Sequence, residues 1–138
     1  PRSTLFPYTT LFRSDLLGMG VLFISHDLGV VKEVADRVSV IYAGRIVESS
    51  TKGKLFENPL HPYTKLLMAS IPDARKRGQR LATIPGRVPD ADATPPGCAF
   101  HPRCPLADER CKTENPVLGE QEYGHAAACH HAGESWKI

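Results

Sequence analysis

Cys98, Cys104, Cys111 and Cys129 are the only cysteines in the chain, separated in turn by five, six and seventeen residues. Sulfurs grouped in this way can pair as disulfides, hold a single metal ion or wrap a larger inorganic group. Disulfides suit small secreted domains and would allow three pairings here. No signal peptide opens the chain, and no apolar run approaches the ~20 residues of a membrane span. A cytosolic setting is therefore expected, where clustered cysteines more often hold a metal. Structural zinc favours cysteine pairs two to four residues apart, and neither short interval here matches that. The ligands of an iron–sulfur cluster can lie further apart along a wrapping loop. Pro96, Pro102 and Pro105 stiffen such a loop, and Gly97 allows close backbone approach. His101 or His125 could replace a thiolate, whereas His130 and His131 read as a polar end to the segment. On these grounds an iron–sulfur cluster stands narrowly ahead of zinc, and both remain open.

A second candidate for chemistry is His26, in "GMGVLFISHDLGVVKEVADRVSVIYAGRIVES". The apolar run Val21 to Ile24 suits a strand buried on both faces of a parallel sheet. Asp27 is a good helix N-cap, with Leu28, Val31, Val34 and Ala35 at helical spacing behind it. His26 would then lie at the carboxyl edge of a sheet, where open α/β folds bind ligands. An imidazole there can donate to a phosphate oxygen, or simply cap a strand end. Val38–Tyr42 and Arg45–Ser49 read as two strands around an Ala43-Gly44 turn.

The elements behind these residues frame the rest of the chain. Lys52 to Asn58 read as a short helix closed by Pro59. A second helix opens at Pro62, presents Tyr63, Leu66, Leu67 and Ile71, and ends at Pro72. Residues 73–97 hold four prolines and three glycines and read as a linker, with Ala82 to Ile84 available for edge pairing. "RKRGQR", residues 75–80, reads as a solvated basic turn. The formal charge of +2 is too small to argue for nucleic acid or an acidic membrane. "PRSTLFPYTTLFRS", residues 1–14, has no clear period and looks like a translated sequencing adapter rather than a targeting peptide.

"VLFISHDLGVVKEVADRVSVIYAGRIVE" closely resembles the switch-histidine segment of ABC-transporter ATPase domains. "ENPLHPYTKLLMASIP" is similar to the segment closing that domain in oligopeptide and dipeptide importers. "IPGRVPD…PPGCAFHPRCPLADERCKTENPVL…HAAACH" is similar to the C-terminal extension of the same subunits. The resemblance covers roughly residues 16–132. It implies an α/β fold: the C-terminal part of a P-loop ABC ATPase domain over 15–71, then a Pro-rich, irregular cluster-binding extension over 72–138. It implies that His26 contacts the γ-phosphate of ATP held with Mg²⁺ between two ATPase subunits. It also implies that Cys98, Cys104, Cys111 and Cys129 bind a [4Fe–4S] cluster, either as a structural clip or as a redox sensor. The partners it implies are a second ATPase subunit, two membrane permeases and an external peptide-binding protein, at the cytoplasmic face of the inner membrane. His61 belongs to the matching pattern and reads as structural.

The sequence also departs from that family. It contains no G-x-x-x-x-G-K-[ST] phosphate loop, no LSGGQ-type signature and no acidic Walker B strand end. Those parts hold the phosphates, Mg²⁺ and the attacking water. The chain is thus expected to be a fragment without ATPase activity of its own. With earlier strands missing, the apolar Val21–Ile24 run would be left uncovered, and the isolated chain is expected to be insoluble or partly folded. The rival reading is a stand-alone iron–sulfur or zinc module with no nucleotide role.

Overall fold

The computed structural model describes residues 17–71, 83–90 and 92–136. The chain divides into two compact units, Pro1–Ala35 and Asp36–Ile138. "RKRGQR" and the foreign-looking residues 1–14 lie outside the described residues.

In the first unit, helix α1 spans Leu28–Val34. Asp27 caps it as expected: its Oδ1 accepts from the Gly29 and Val30 amides at 2.9 and 3.2 Å. Val31 is the buried residue of its apolar stripe. The expected strand at Val21–Ile24 does not form. Residues 21–25 have no regular structure, and Leu22 and Ile24 are 89% and 87% exposed. An apolar run becomes a strand only where neighbours complete its hydrogen-bond ladder, and no described residue of this unit forms one.

The second unit is built on one four-stranded sheet. Strands β1 (Arg37–Tyr42) and β2 (Arg45–Thr51) form the expected hairpin. Ala43 and Gly44 both have positive φ, +46° and +75°, as a two-residue turn matching the strand twist requires. β1 alternates cleanly, burying Val38, Val40 and Tyr42. Helices α2 (Lys52–Glu57) and α3 (Pro62–Ala69) follow, with Leu55 and Leu66 buried. Past the linker come a 3₁₀ turn at His101–Arg103, helix α4 (Glu109–Thr113), and strands β3 (Gly119–Glu122) and β4 (His125–Ala127).

The sheet order is β1-β2-β4-β3, and every pairing is antiparallel. The parallel sheet expected from the sequence is thus absent from the described residues. Its strands lie on either side of residue 72: Glu48 and Ser49 of β2 pair with Ala127 and Ala126 of β4. The segment that carries the cysteines is in this way stitched onto the hairpin.

A fully buried carboxylate reinforces the seam. Glu48 Oε1 accepts from the Leu60 amide at 2.7 Å and lies 2.7 Å from His125 Nε2, while Oε2 accepts from the His61 amide at 2.9 Å. Glu48 and His125 are 0% and 1% exposed. One side chain therefore joins β2, the turn into α3 and β4. A buried carboxylate is tolerated when its acceptor sites are filled in this way.

Candidate metal centre

Four local frames bring in the four thiols. Cys98 follows Gly97, whose φ of +70° suits glycine. A Cβ on Gly97 would collide with the Cys111 carbonyl oxygen and sit 2.7 Å from the Lys112 carbonyl carbon. Only glycine lets the two chains close on the hydrogen bond from the Cys98 amide to the Cys111 carbonyl, 2.9 Å.

Cys104 is presented by the turn that follows. The amides of His101, Arg103 and Cys104 donate to the carbonyls of Cys98, Phe100 and His101 at 2.9, 3.0 and 3.2 Å. Phe100, 1% exposed, anchors this turn against the rings of Tyr42, Tyr63 and His61, with centroids 5.1, 5.4 and 5.8 Å away. Arg103 clamps the described end of the linker, donating to the Pro85 carbonyl at 2.6 Å, the Ile84 carbonyl at 3.3 Å and the Tyr42 hydroxyl at 3.1 Å. Ile84 is held by this clamp, and neither Thr83 nor Ile84 joins a strand, so the expected edge pairing is absent there; Ala82 lies outside the described residues.

Cys111 lies on α4, a helix capped by Asp108, whose Oδ1 accepts from the Cys111 amide at 2.9 Å. Cys129 follows β4, where the Ala128 amide donates to the Val47 carbonyl at 2.8 Å. The Cys129 sulfur accepts from the His131 amide at 3.3 Å.

All four cysteines are free thiols; Cys111 is buried and the other three are half-buried. Burial is the leading cause that pushes every one of them above the ordinary thiol value, Cys104 to about 11 and Cys129 to about 12. Cys98, Cys104 and Cys111 also stand close enough to raise Cys129 further. Such a set keeps its protons when empty and gives them up to a bound cation. Among the described residues, one trio of His, Cys, Asp or Glu side chains places all its donor atoms within 4.8 Å of one another, and it is Asp108, Cys111 and His131.

The histidines sort differently from the sequence reading. His125 is committed to Glu48 and is not a spare thiolate substitute. His101 Nδ1 lies 3.0 Å from the Cys98 carbonyl oxygen and supports the loop. His130 Nε2 lies 3.0 Å from the Glu114 carbonyl oxygen. His131, read as a polar end, stands instead beside Cys111 and Asp108. His61 is structural, as expected: its Nδ1 accepts from the Tyr63 amide at 3.0 Å and caps α3. Burial pushes it down to about 4, against the pull of Glu48. His26, in the first unit, is exposed just ahead of the Asp27 cap, and the Asp27 amide donates to Ser25 Oγ at 3.0 Å.

Glu48 and Asp108 escape a reading of the sequence because each is one acid among many. Glu48 does sit inside the strand "RIVESS", where an acid in an expected strand is a usable signal. Asp108 precedes α4 at N-cap spacing, "DERC", and that signal is also available.

Part of this arrangement lies within a recognised class of region, with Cys129 and His131 beyond it. Residues 47–111 match the family described as the oligopeptide/dipeptide transporter, C-terminal region. Over most of its length the chain is similar to named relatives. It is 51% identical over 121 residues to a probable peptide ABC transporter ATP-binding protein of Sinorhizobium fredii, covering 87% of this chain and 36% of the relative. It is 48% identical over 118 residues to a putative peptide import ATP-binding protein of Brucella ovis, covering 81% and 35%. A Brucella melitensis protein described in the same words is 47% identical over 115 residues, covering 83% and 34%. The chain thus spans about a third of the length of the curated relatives it matches. No helix among the described residues is long and apolar enough to cross a membrane.

Proposed function

We propose that this chain is the C-terminal portion of the ATP-binding subunit of a di- or oligopeptide ABC importer, and that its four cysteines hold a [4Fe–4S] cluster. The observation that carries the reading is the convergence of four free thiols in and beside the region that matches the peptide-transporter C-terminal family. The names of the relatives supply the rest: ATP binding and peptide import.

The donor set fits the group. Four free thiols on separate loops, close enough for their charges to act on one another, match in number and type the ligands such a cluster takes. Cys98, Cys104, Cys111 and Cys129 would each lose a proton on binding it. Bound, the cluster would supply either rigid cross-linking of the loops or one-electron redox chemistry. The residues around it act without it as well: Phe100 fixes the turn, Asp108 fixes Cys111, and Glu48 fixes the strand leading to Cys129.

In the intact subunit ATP with Mg²⁺ would be bound by parts that precede the matched segment. His26, exposed and held by its Ser25–Asp27 turn, would reach the γ-phosphate and stabilise the charge on the transferring group. The partners would be a second ATPase subunit, two permeases and an external peptide-binding protein, with the subunit peripheral at the cytoplasmic face of the inner membrane.

Anaerobic reconstitution with iron and sulfide tests the cluster. A broad visible absorption band that disappears in Cys104→Ala is the expected result. A colourless chain that binds one zinc ion through all four cysteines would overturn it.

A further inference from the structure

Asp108, Cys111 and His131 come together with their donor atoms within 4.8 Å of one another. Nitrogen, oxygen and sulfur donors bound to one tetrahedral zinc-type ion at ~2.0–2.3 Å stand roughly 3.3–3.8 Å apart. A contraction of about an ångström therefore gathers this trio onto one ion. Helix α4 fixes two of the three, since Asp108 and Cys111 are three residues apart and linked by the capping hydrogen bond at 2.9 Å.

The third is oriented from behind. His131 Nδ1 lies 3.0 Å from Glu134 Oε1, the arrangement by which a carboxylate fixes the tautomer and direction of a metal-binding imidazole. The other nitrogen, Nε2, is buried and lies 3.1 Å from Asp108 Oδ2, close enough to pair with it when the ring is protonated. A cation held by Nε2, Asp108 Oδ2 and the Cys111 sulfur would take the place of the proton that otherwise bridges His131 and Asp108. The Asp108 carboxylate is also spared for such a role, because only its Oδ1 serves the helix cap.

We propose that Asp108, Cys111 and His131 bind a single divalent transition-metal ion of the zinc or cobalt type, with the remaining position open to solvent. The mixed sulfur, nitrogen and oxygen donors favour such an ion over calcium or magnesium. Binding exchanges the Cys111 thiol proton for the metal and changes no oxidation state. The site does not rest on the cluster reading. Because both use Cys111, the ion and a four-thiolate group exclude each other, and a zinc-loaded chain cannot take up the cluster until the ion leaves.

Cobalt is the probe. The full chain is prepared metal-free, reduced and under argon, with Leu22 and Ile24, 89% and 87% exposed, changed to Thr for solubility. Titration with Co²⁺ is expected to give one ion per chain, a thiolate charge-transfer band and the visible bands of four-coordinate cobalt, all abolished by zinc. His131→Ala and Asp108→Asn should each weaken cobalt binding at least tenfold. Glu134→Gln, which removes the negative charge of the orienting carboxylate, should weaken it by roughly 10- to 100-fold. Cys98→Ala and Cys104→Ala should leave it within about twofold. Glu134→Gln decides the matter if His131→Ala disturbs folding. Cobalt binding that ignores both His131 and Glu134, or that is lost in Cys98→Ala or Cys104→Ala, overturns the site. Iron–sulfur reconstitution run in parallel separates the two readings: His131→Ala should retain the cluster, and Cys104→Ala should lose it while keeping cobalt.

Discussion

Replacing Glu48 by Ala should be the most damaging single change in the second unit. The carboxylate is 0% exposed and serves three donors: the Leu60 amide at 2.7 Å, the His61 amide at 2.9 Å and His125 Nε2 at 2.7 Å. Each buried donor left without an acceptor costs about 1–3 kcal/mol, and removing one partner of a buried pair costs about 3–5 kcal/mol. Water entering the vacated space offsets part of this, so a loss of about 4 kcal/mol is expected. That is a large share of the ~5–15 kcal/mol by which an ordinary domain is stable. Urea unfolding followed by fluorescence of Trp136, the single tryptophan, measures it; this ring packs against Lys65, whose Nζ is 4.9 Å from its centroid. Thiol labelling gives a second readout, since Glu48 holds the strand that delivers Cys129, and that cysteine should react faster in the variant. A loss below about 1 kcal/mol, with labelling unchanged, would refute the claim that Glu48 joins the hairpin to the cysteine segment.

Burial also makes stability depend on pH through His61, which is neutral when folded, held down to about 4, and has an unfolded value of 6.5. Its contribution to stability is therefore complete above pH 6.5 and is lost as pH falls toward 4. The loss is about 3 kcal/mol at ~1.4 kcal/mol per pH unit. His61→Asn keeps a capping acceptor and removes the titration, so the difference between wild type and variant should vary over that window, and a flat difference would contradict the assignment. Gly97→Ala forces a Cβ into the Cys111 carbonyl at φ +70°. The left-handed backbone alone costs about 1–2 kcal/mol; thermal unfolding should show at least that, together with faster labelling of Cys98 and Cys111. Leu22→Thr with Ile24→Thr removes the most exposed part of the apolar run. It should raise soluble yield severalfold, as sedimentation of expressed protein will show; an unchanged pellet would place the aggregating surface elsewhere.

Much of the fold is legible in the sequence, because local signals and tertiary structure agree. Asp27 followed by Leu28, Val31 and Val34 announces α1. The alternation of Val38, Val40 and Tyr42 before Ala43-Gly44 announces the hairpin, and Pro62 marks the start of α3. What the sequence hides depends on partners far away in the chain. Val21–Ile24 has the composition of a buried strand, but a strand exists only beside another, and the described residues offer none. The pairing of β2 with β4 joins residues about eighty positions apart, and no local period encodes that. Glu48 and His131 are unremarkable in the sequence for the same reason. A charged residue becomes a structural pin or a candidate ligand only when the fold surrounds it with donors, or with Asp108 and Cys111.

The central claim is that this chain carries the closing part of a peptide-import ATPase, with His26 at its nucleotide. It is tested most directly in the intact subunit, assembled with its permeases in vesicles and supplied with ATP and a labelled dipeptide. His26→Ala is expected to abolish ATP-driven uptake and ATP hydrolysis together, with ATP binding retained. Uptake and hydrolysis that continue unchanged in His26→Ala would contradict the account.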